Sequence, residues 1–137
     1  MKIRQFIIPL LIFALSSAGW TQGTQDNSAG TGTMDYTTYA GLSALMDRGI
    51  QGKDFFLIDV RTKEEFAAGH IPSALLIPVQ VFEANIPTDD KNALIILYCR
   101  SGARAGTALN ILKSKGYTNA YNFGSYRKWE GELATGE

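Results

Sequence analysis

Leu94-Ile95-Ile96-Leu97-Tyr98-Cys99-Arg100-Ser101-Gly102-Ala103-Arg104 is the stretch whose reading decides the fold. The apolar run from Ala93 to Tyr98 is long enough for a buried strand and too short for a helix. It ends at Cys99, the only cysteine of the chain. Small or flexible residues follow, Ser101, Gly102 and Ala103. From Arg104 the pattern turns helical, with Ala105, Ala108, Leu109 and Leu112 at spacings of three and four. A strand, a glycine-containing turn and a helix would set the cysteine sulfur in a bowl of backbone N–H groups.

Such a bowl lies over a helix N-terminus, which carries roughly half a positive charge. Both features favour a thiolate and an anion bound beside it. Arg100 and Arg104 add two fixed positive charges. A free cysteine can instead be an inert, buried small hydrophobe. That alternative suits a cysteine within a strand better than one at its end, followed by Arg-Ser-Gly. Cys99 therefore reads as a nucleophile.

Tyr98 to Arg104, YCRSGAR, together with Leu57-Ile58-Asp59-Val60-Arg61 and Gly69-His70-Ile71-Pro72, resembles the rhodanese family of sulfurtransferases. The likeness runs from about Asp35 to Trp129 and is closest to the small single-domain bacterial members, including the exported kind. It implies a three-layer α/β/α fold around a mainly parallel sheet. It also implies a cysteine that carries sulfur as a persulfide, with no metal or organic cofactor.

The length supports one domain, and 13 basic residues balance 13 acidic ones, so nothing suggests a nucleic-acid surface. One cysteine excludes an internal disulfide, and with a single histidine it also excludes the usual zinc clusters.

Residues 1–23 read as an export signal: Lys2 and Arg4 begin it, an apolar stretch runs from Phe6 to Ala18, and Ser16 and Ala18 suit cleavage after Ala18. The apolar core is short for a membrane span, so membrane attachment would come only through an uncleaved signal. The expected location is the periplasm. Residues 24–33, rich in Gly, Thr, Gln, Ser and Asn, read as a flexible linker, and 34–137 as the folded domain.

Within that domain, Thr37 or Thr38 should cap a helix through about Arg48, ended by Gly49. Phe55 to Ile58 reads as a buried strand, and Thr62 with Glu65 as a capping box for a helix over Lys63 to Ala68. Ala74 to Ile77 is expected as a short strand, Val81 to Asn85 as one helical turn, and Ala120 to Asn122 as the last strand. Gly124 would then turn into a final helix carrying Trp129. Strands alternating with helices point to a parallel sheet covered on both faces, with ligands beyond the carboxyl ends of the strands.

Asp59 and Arg61 follow one strand end. Asp59 reads as a support that accepts loop amides or pairs with an arginine. For Arg61, substrate contact and structural support stand level. His70 invites a Cys–His dyad, but no third residue orients it, and the resemblance places Gly-His-Ile at a structural turn. It too reads as a support. Glu64 and Glu65 read as solvated or ion-paired. Tyr98 and Trp129 read as packing, with Trp129 a possible pocket wall. Arg100, Ser101, Gly102, Ala103 and Arg104 can present N–H groups and charge to a persulfide or a sulfonate. The spacing from Cys99 is Cys-x4-Arg, whereas the related phosphatase and arsenate-reducing folds use Cys-x5-Arg and would need arginine at Ala105. The count disfavours phosphatase chemistry.

The reading is an α/β sulfurtransferase that moves a sulfane sulfur from thiosulfate or a similar donor, through Cys99, to cyanide or a thiol. The partners implied are small sulfur-containing anions and a thiol or protein acceptor, and a monomer is the default. The rival is a persulfide carrier or redox-sensing module without rapid thiosulfate turnover. A silent binding domain fits poorly with Cys99, Gly102 and Arg104 all present. In an oxidising compartment a lone activated thiol should gather as persulfide, sulfenic acid or mixed disulfide.

Overall fold

The computed structural model describes residues 33–137. The expected export signal and all of the linker but Thr33 lie outside the described residues. The domain is built in the order α1 (Tyr39–Arg48), β1 (Phe56–Asp59), α2 (Lys63–Ala68), β2 (Leu75–Leu76), β3 (Ile95–Cys99), α3 (Ala103–Ser114) and β4 (Ala120–Ser125). Single 3-10 turns span Val79–Val81 and Tyr126–Lys128. Among the described residues, no helix is long and apolar enough to cross a membrane.

The helix ends follow local chemistry. Thr38 is the N-cap of α1, its hydroxyl accepting from Gly41 N–H at 3.1 Å. The capping box of α2 is complete: Glu65 N–H donates to Thr62 Oγ1 at 3.2 Å, and Thr62 N–H to Glu65 Oε2 at 3.0 Å. These bonds satisfy donors that a helix start leaves without intrahelical partners.

The four strands are all parallel, in the order β2-β1-β3-β4. Every residue of the central β3 is buried, which is why it reads as an unbroken apolar run rather than an alternating one. Its side chains still alternate between two cores. Ile95, Leu97 and Cys99 face Ala105, Ala108 and Leu112 of α3. Ile96 and Tyr98 face Leu42 of α1 and Phe66 of α2. Helices on both faces give three layers, and Asp59, Cys99 and Ser125 finish their strands at one rim.

The later elements differ from expectation. β4 does not stop at Asn122 but continues to Ser125. The β3–β4 register slips between Leu97 and Tyr98, pairing Leu97 with Asn122 and Tyr98 with Gly124, so that Phe123 is the extra residue of a bulge. Gly124 sits at φ +96° there, and its N–H is taken by Asn122 Oδ1 at 2.8 Å. The bulge absorbs the glycine that sequence reasoning assigned to a turn. The expected final helix is only the 3-10 turn Tyr126–Lys128, with Trp129 capping its end. β2 is two residues long, and the helical turn expected over Val81 to Asn85 is a 3-10 turn starting at Val79.

Candidate active site

Cys99 is the last residue of β3, and its side chain points under the start of α3. Gly102 N–H donates to Cys99 Sγ at 3.0 Å. That donor reaches back because Gly102, the N-cap of α3, lies at φ +95°, a conformation glycine adopts without penalty. A Cβ at Gly102 would also meet Gly124 Cα at 3.2 Å, so the loop rests against the β4 bulge. The first turn of α3 adds N–H groups without intrahelical acceptors at the same end. Of the expected bowl, one donor, Gly102 N–H, lies on the sulfur itself. The sulfur is fully buried, at 0% exposure.

The loop is tied down from β4. Asn122 Nδ2 donates to Gly102 O at 3.0 Å, and Ser125 Oγ donates to Arg100 O at 2.6 Å while accepting Arg127 N–H at 3.2 Å. Sequence reasoning missed Asn122, Ser125, Tyr126 and Arg127. The available signal was polar side chains at the end of a strand adjacent to the cysteine strand. Ser101 and Ala103 lie exposed on the loop, with Ala103 N–H 3.5 Å from Ser101 Oγ.

The four arginines near this rim divide. Arg104 donates from Nη1 and Nη2 to the two Glu65 oxygens at 2.7 and 2.9 Å, so its guanidinium anchors α3 to α2 rather than facing a ligand freely. That pair lowers the Glu65 carboxyl to about 2, with the Arg104 hydrogen bonds the largest cause and burial opposing them. Arg61 is 3% exposed. It donates from Nε to both Asp59 oxygens at 3.0 Å, and from Nη2 to Asp59 Oδ2 and Gly69 O at 2.7 Å each. Burial works against the Arg61 charge, but the Asp59 carboxylate outweighs it and holds the guanidinium above its ordinary range. Support therefore takes most of this side chain. Arg100 and Arg127 are exposed and form no ion pair among the described residues.

The remaining candidate residues lie in the scaffold around the loop. Asp59 accepts from Arg61, through its backbone N–H at 2.9 Å as well as its guanidinium, and takes no amide of the sulfur loop. His70 stacks on Phe66 with ring centroids 3.6 Å apart, and its Nδ1 donates to Phe66 O at 2.8 Å. Its main chain bridges Ala134, so it closes a turn against the C-terminal segment and makes no hydrogen bond to Cys99. Tyr98 Oη accepts Ile71 N–H at 3.1 Å inside the core, where burial pushes its hydroxyl pKa upward. Trp129 walls no pocket at the loop. It packs edge-on against Tyr39 at 5.0 Å, and its indole N–H donates to Glu132 O. Ala105, where the longer phosphatase-type loop would need arginine, is buried in the α3 core.

A cleft of about 180 Å³ opens beside the loop, lined by Arg61, Glu65, Ala68, Arg100, Tyr126 and Arg127. Two larger depressions, about 430 Å³ beside α2 and β2 and about 550 Å³ at the opposite strand ends, include no residue of the 99–104 loop. The cleft beside the loop is the smallest of these three.

Known proteins resemble this chain in sequence and in fold. Residues 41–132 match the family described as Rhodanese-like domain. A sulfurtransferase of Allochromatium vinosum is 35% identical over 79 residues, covering 58% of this chain and 74% of that protein. A human thiosulfate:glutathione sulfurtransferase is 38% identical over 88 residues, covering 53% of this chain and 76% of its own. The structure of a rhodanese with anions from E. coli superposes with a TM-score of 0.56 at 31% identity, over 59% of this chain and 98% of that one.

Proposed function

The chain belongs to the rhodanese-like domain family, and from that premise we propose that it is a sulfurtransferase working through Cys99. The Cys99 thiolate attacks the outer sulfur of thiosulfate or a similar sulfane donor. A new S–S bond forms at Sγ, the donor's S–S bond breaks, and sulfite leaves with the bonding electrons. A second nucleophile, cyanide or a thiol, then takes the outer sulfur and returns Cys99 as thiolate. This is ping-pong covalent catalysis.

The observation that carries the reading is the Gly102 N–H aimed at Cys99 Sγ from the start of α3. A donor already in place needs no reorganisation when charge develops on sulfur. The names of similar proteins support transfer of sulfur in general, and the human relative's name supports thiosulfate and a thiol as donor and acceptor. Arg100 and the loop amides are assigned to the anionic donor, Arg104 and Asp59 to holding the loop and its neighbour.

One observation favours the carrier reading as second choice: a sulfur with no exposure suits a protected persulfide better than fast exchange with small anions. Export belongs to the same proposal, on the charge pattern and small residues before Ala18.

The test is intact mass of the protein after brief exposure to thiosulfate, beside Cys99→Ser. Gain of about one sulfur atom, discharged by cyanide as thiocyanate and missing in the variant, is the expected result. No gain with thiosulfate but gain from a protein persulfide would install the carrier reading. No gain from either would end both. The same spectrum of protein from a periplasmic fraction reports whether the first 18 residues have gone.

A further inference from the structure

A groove of about 430 Å³ lies away from the sulfur loop, between α2 and the sheet edge at β2. Small-molecule sites commonly span ~300–1,000 Å³ and are mostly apolar, with a few polar groups that fix orientation. The walls here are Phe66 and Ala67 of α2 with Ala74, Leu75 and Leu76 of the edge. Phe66 and Ala74 also pack in the core that holds Ile96 and Tyr98, so the floor of the groove is the hydrophobic core itself. Leu75 is 37% exposed, one of three large apolar side chains left open to water among the described residues.

Two charged residues line the groove, Lys63 and Glu137, with Lys63 Nζ 2.6 Å from Glu137 Oε1. The segment carrying Glu137 is fastened by its backbone. Ala134 and His70 exchange N–H to O bonds at 2.9 Å, and Gly136 N–H donates to Ala67 O at 3.0 Å. The Glu137 side chain is held only by Lys63 among the described residues, and the two side chains are 82% and 67% exposed. An ion pair so open to water is worth little. A carboxylate attached to an apolar body would therefore replace Glu137 on Lys63 at small cost and gain burial against Phe66 and the leucines.

We infer that this groove binds a small apolar monocarboxylate, of the size of a medium-chain fatty acid. Its chain lies along Phe66, Leu75 and Leu76, and its carboxylate sits on Lys63. Glu137 holds the carboxylate position in the free protein and gives way when the ligand enters. One cation at one end suits one negative charge, whereas a dianion would leave charge unpaired against the leucines. The groove includes no residue of the 99–104 loop, so this site and sulfur transfer at Cys99 stand or fall separately.

The test titrates 15N-labelled protein with butanoate, hexanoate and octanoate below micelle-forming concentrations and follows the backbone amide shifts. Shifts should gather at Ala67, Leu75, Leu76 and Gly136, and affinity should rise about two- to fourfold per added methylene as the chain leaves water. Lys63→Gln should weaken octanoate about threefold and leave 1-octanol unchanged, while Glu137→Gln should strengthen octanoate by a similar factor. Both side chains are exposed, so neither variant endangers the fold. Octanoate bound no better than butanoate overturns the inference, and so do shifts that lie elsewhere. Equal losses for octanoate and octanol in Lys63→Gln overturn it by removing the carboxylate contact. If the same amides shift with protein concentration alone, the groove belongs to a second copy of the chain and the inference fails.

Discussion

Arg61 and Arg104, on the α2 side of the rim, each hold a carboxylate, whereas Arg100 and Arg127, on the β4 side, hold none among the described residues. All four stand near the same end of the sheet. The α2 side is built from charge pairs, one fully buried and one about 30% exposed, with side-chain exposures of 31% and 28% for Arg104 and Glu65. The β4 side is built from neutral hydrogen bonds, in which Asn122 and Ser125 grip loop carbonyls. The difference teaches that an arginine near a candidate site is not thereby a ligand contact. Charge that is spent internally fixes geometry, and charge left over can face a substrate.

The sharpest way to break this contrast is at the buried pair. Asp59→Ala leaves the Arg61 charge uncompensated inside the protein and should cost about 3–5 kcal/mol, read as a lowered urea midpoint. A loss below about 1 kcal/mol would mean that Arg61 is not held by this partner after all.

Gly102→Ala tests the loop on the neutral side. A side chain at φ +95° costs roughly 1–2 kcal/mol, and the added Cβ presses on Gly124. Sulfur loading from thiosulfate should slow by at least about tenfold as the N–H leaves Sγ. Unchanged loading, followed by mass spectrometry, would remove Gly102 from the mechanism.

Ser125→Ala should cost about 1 kcal/mol and slow loading several-fold, because Arg100 O loses its donor. Its purpose is to separate loop tethering from charge, since no arginine is altered.

The smallest effect concerns Glu65. Its folded value of about 2 lies below the ordinary 4.5, so the Arg104 pair contributes stability that is present above about pH 4.5 and lost as pH falls toward 2. The gap in stability between wild type and Glu65→Gln should be under about 1 kcal/mol near pH 7 and should close over that window. A gap that stays constant from pH 6 to pH 2 would contradict the pairing.

Much of this was legible locally. The buried strand before Cys99, the capping box at Thr62, the cap at Thr38 and the helix after Gly102 all lie where residue spacing and capping chemistry put them, within one or two residues. The bulge in β4 was not. Gly124 carries the same signal in a turn as in a bulge, and only the register against Tyr98 distinguishes the two. Arg104 was legible as a charge near the sulfur but not as the partner of Glu65, and Trp129 as an aromatic but not as one turned toward Tyr39.

From the sequence alone came the alternation of strands and helices, the place of Cys99 at a strand end, and the chemistry its neighbours invite. These depend on periodicity and on contacts a few residues apart, which the order of residues states directly. Tertiary structure decided which arginines are free, which residues hold the loop, and that the sulfur is buried. Those depend on pairs 39, 25 and 20 residues apart, Arg104 with Glu65, Ser125 with Arg100 and Asn122 with Gly102. No local pattern encodes such pairs, because they exist only once the parallel sheet has brought its strand ends to one rim.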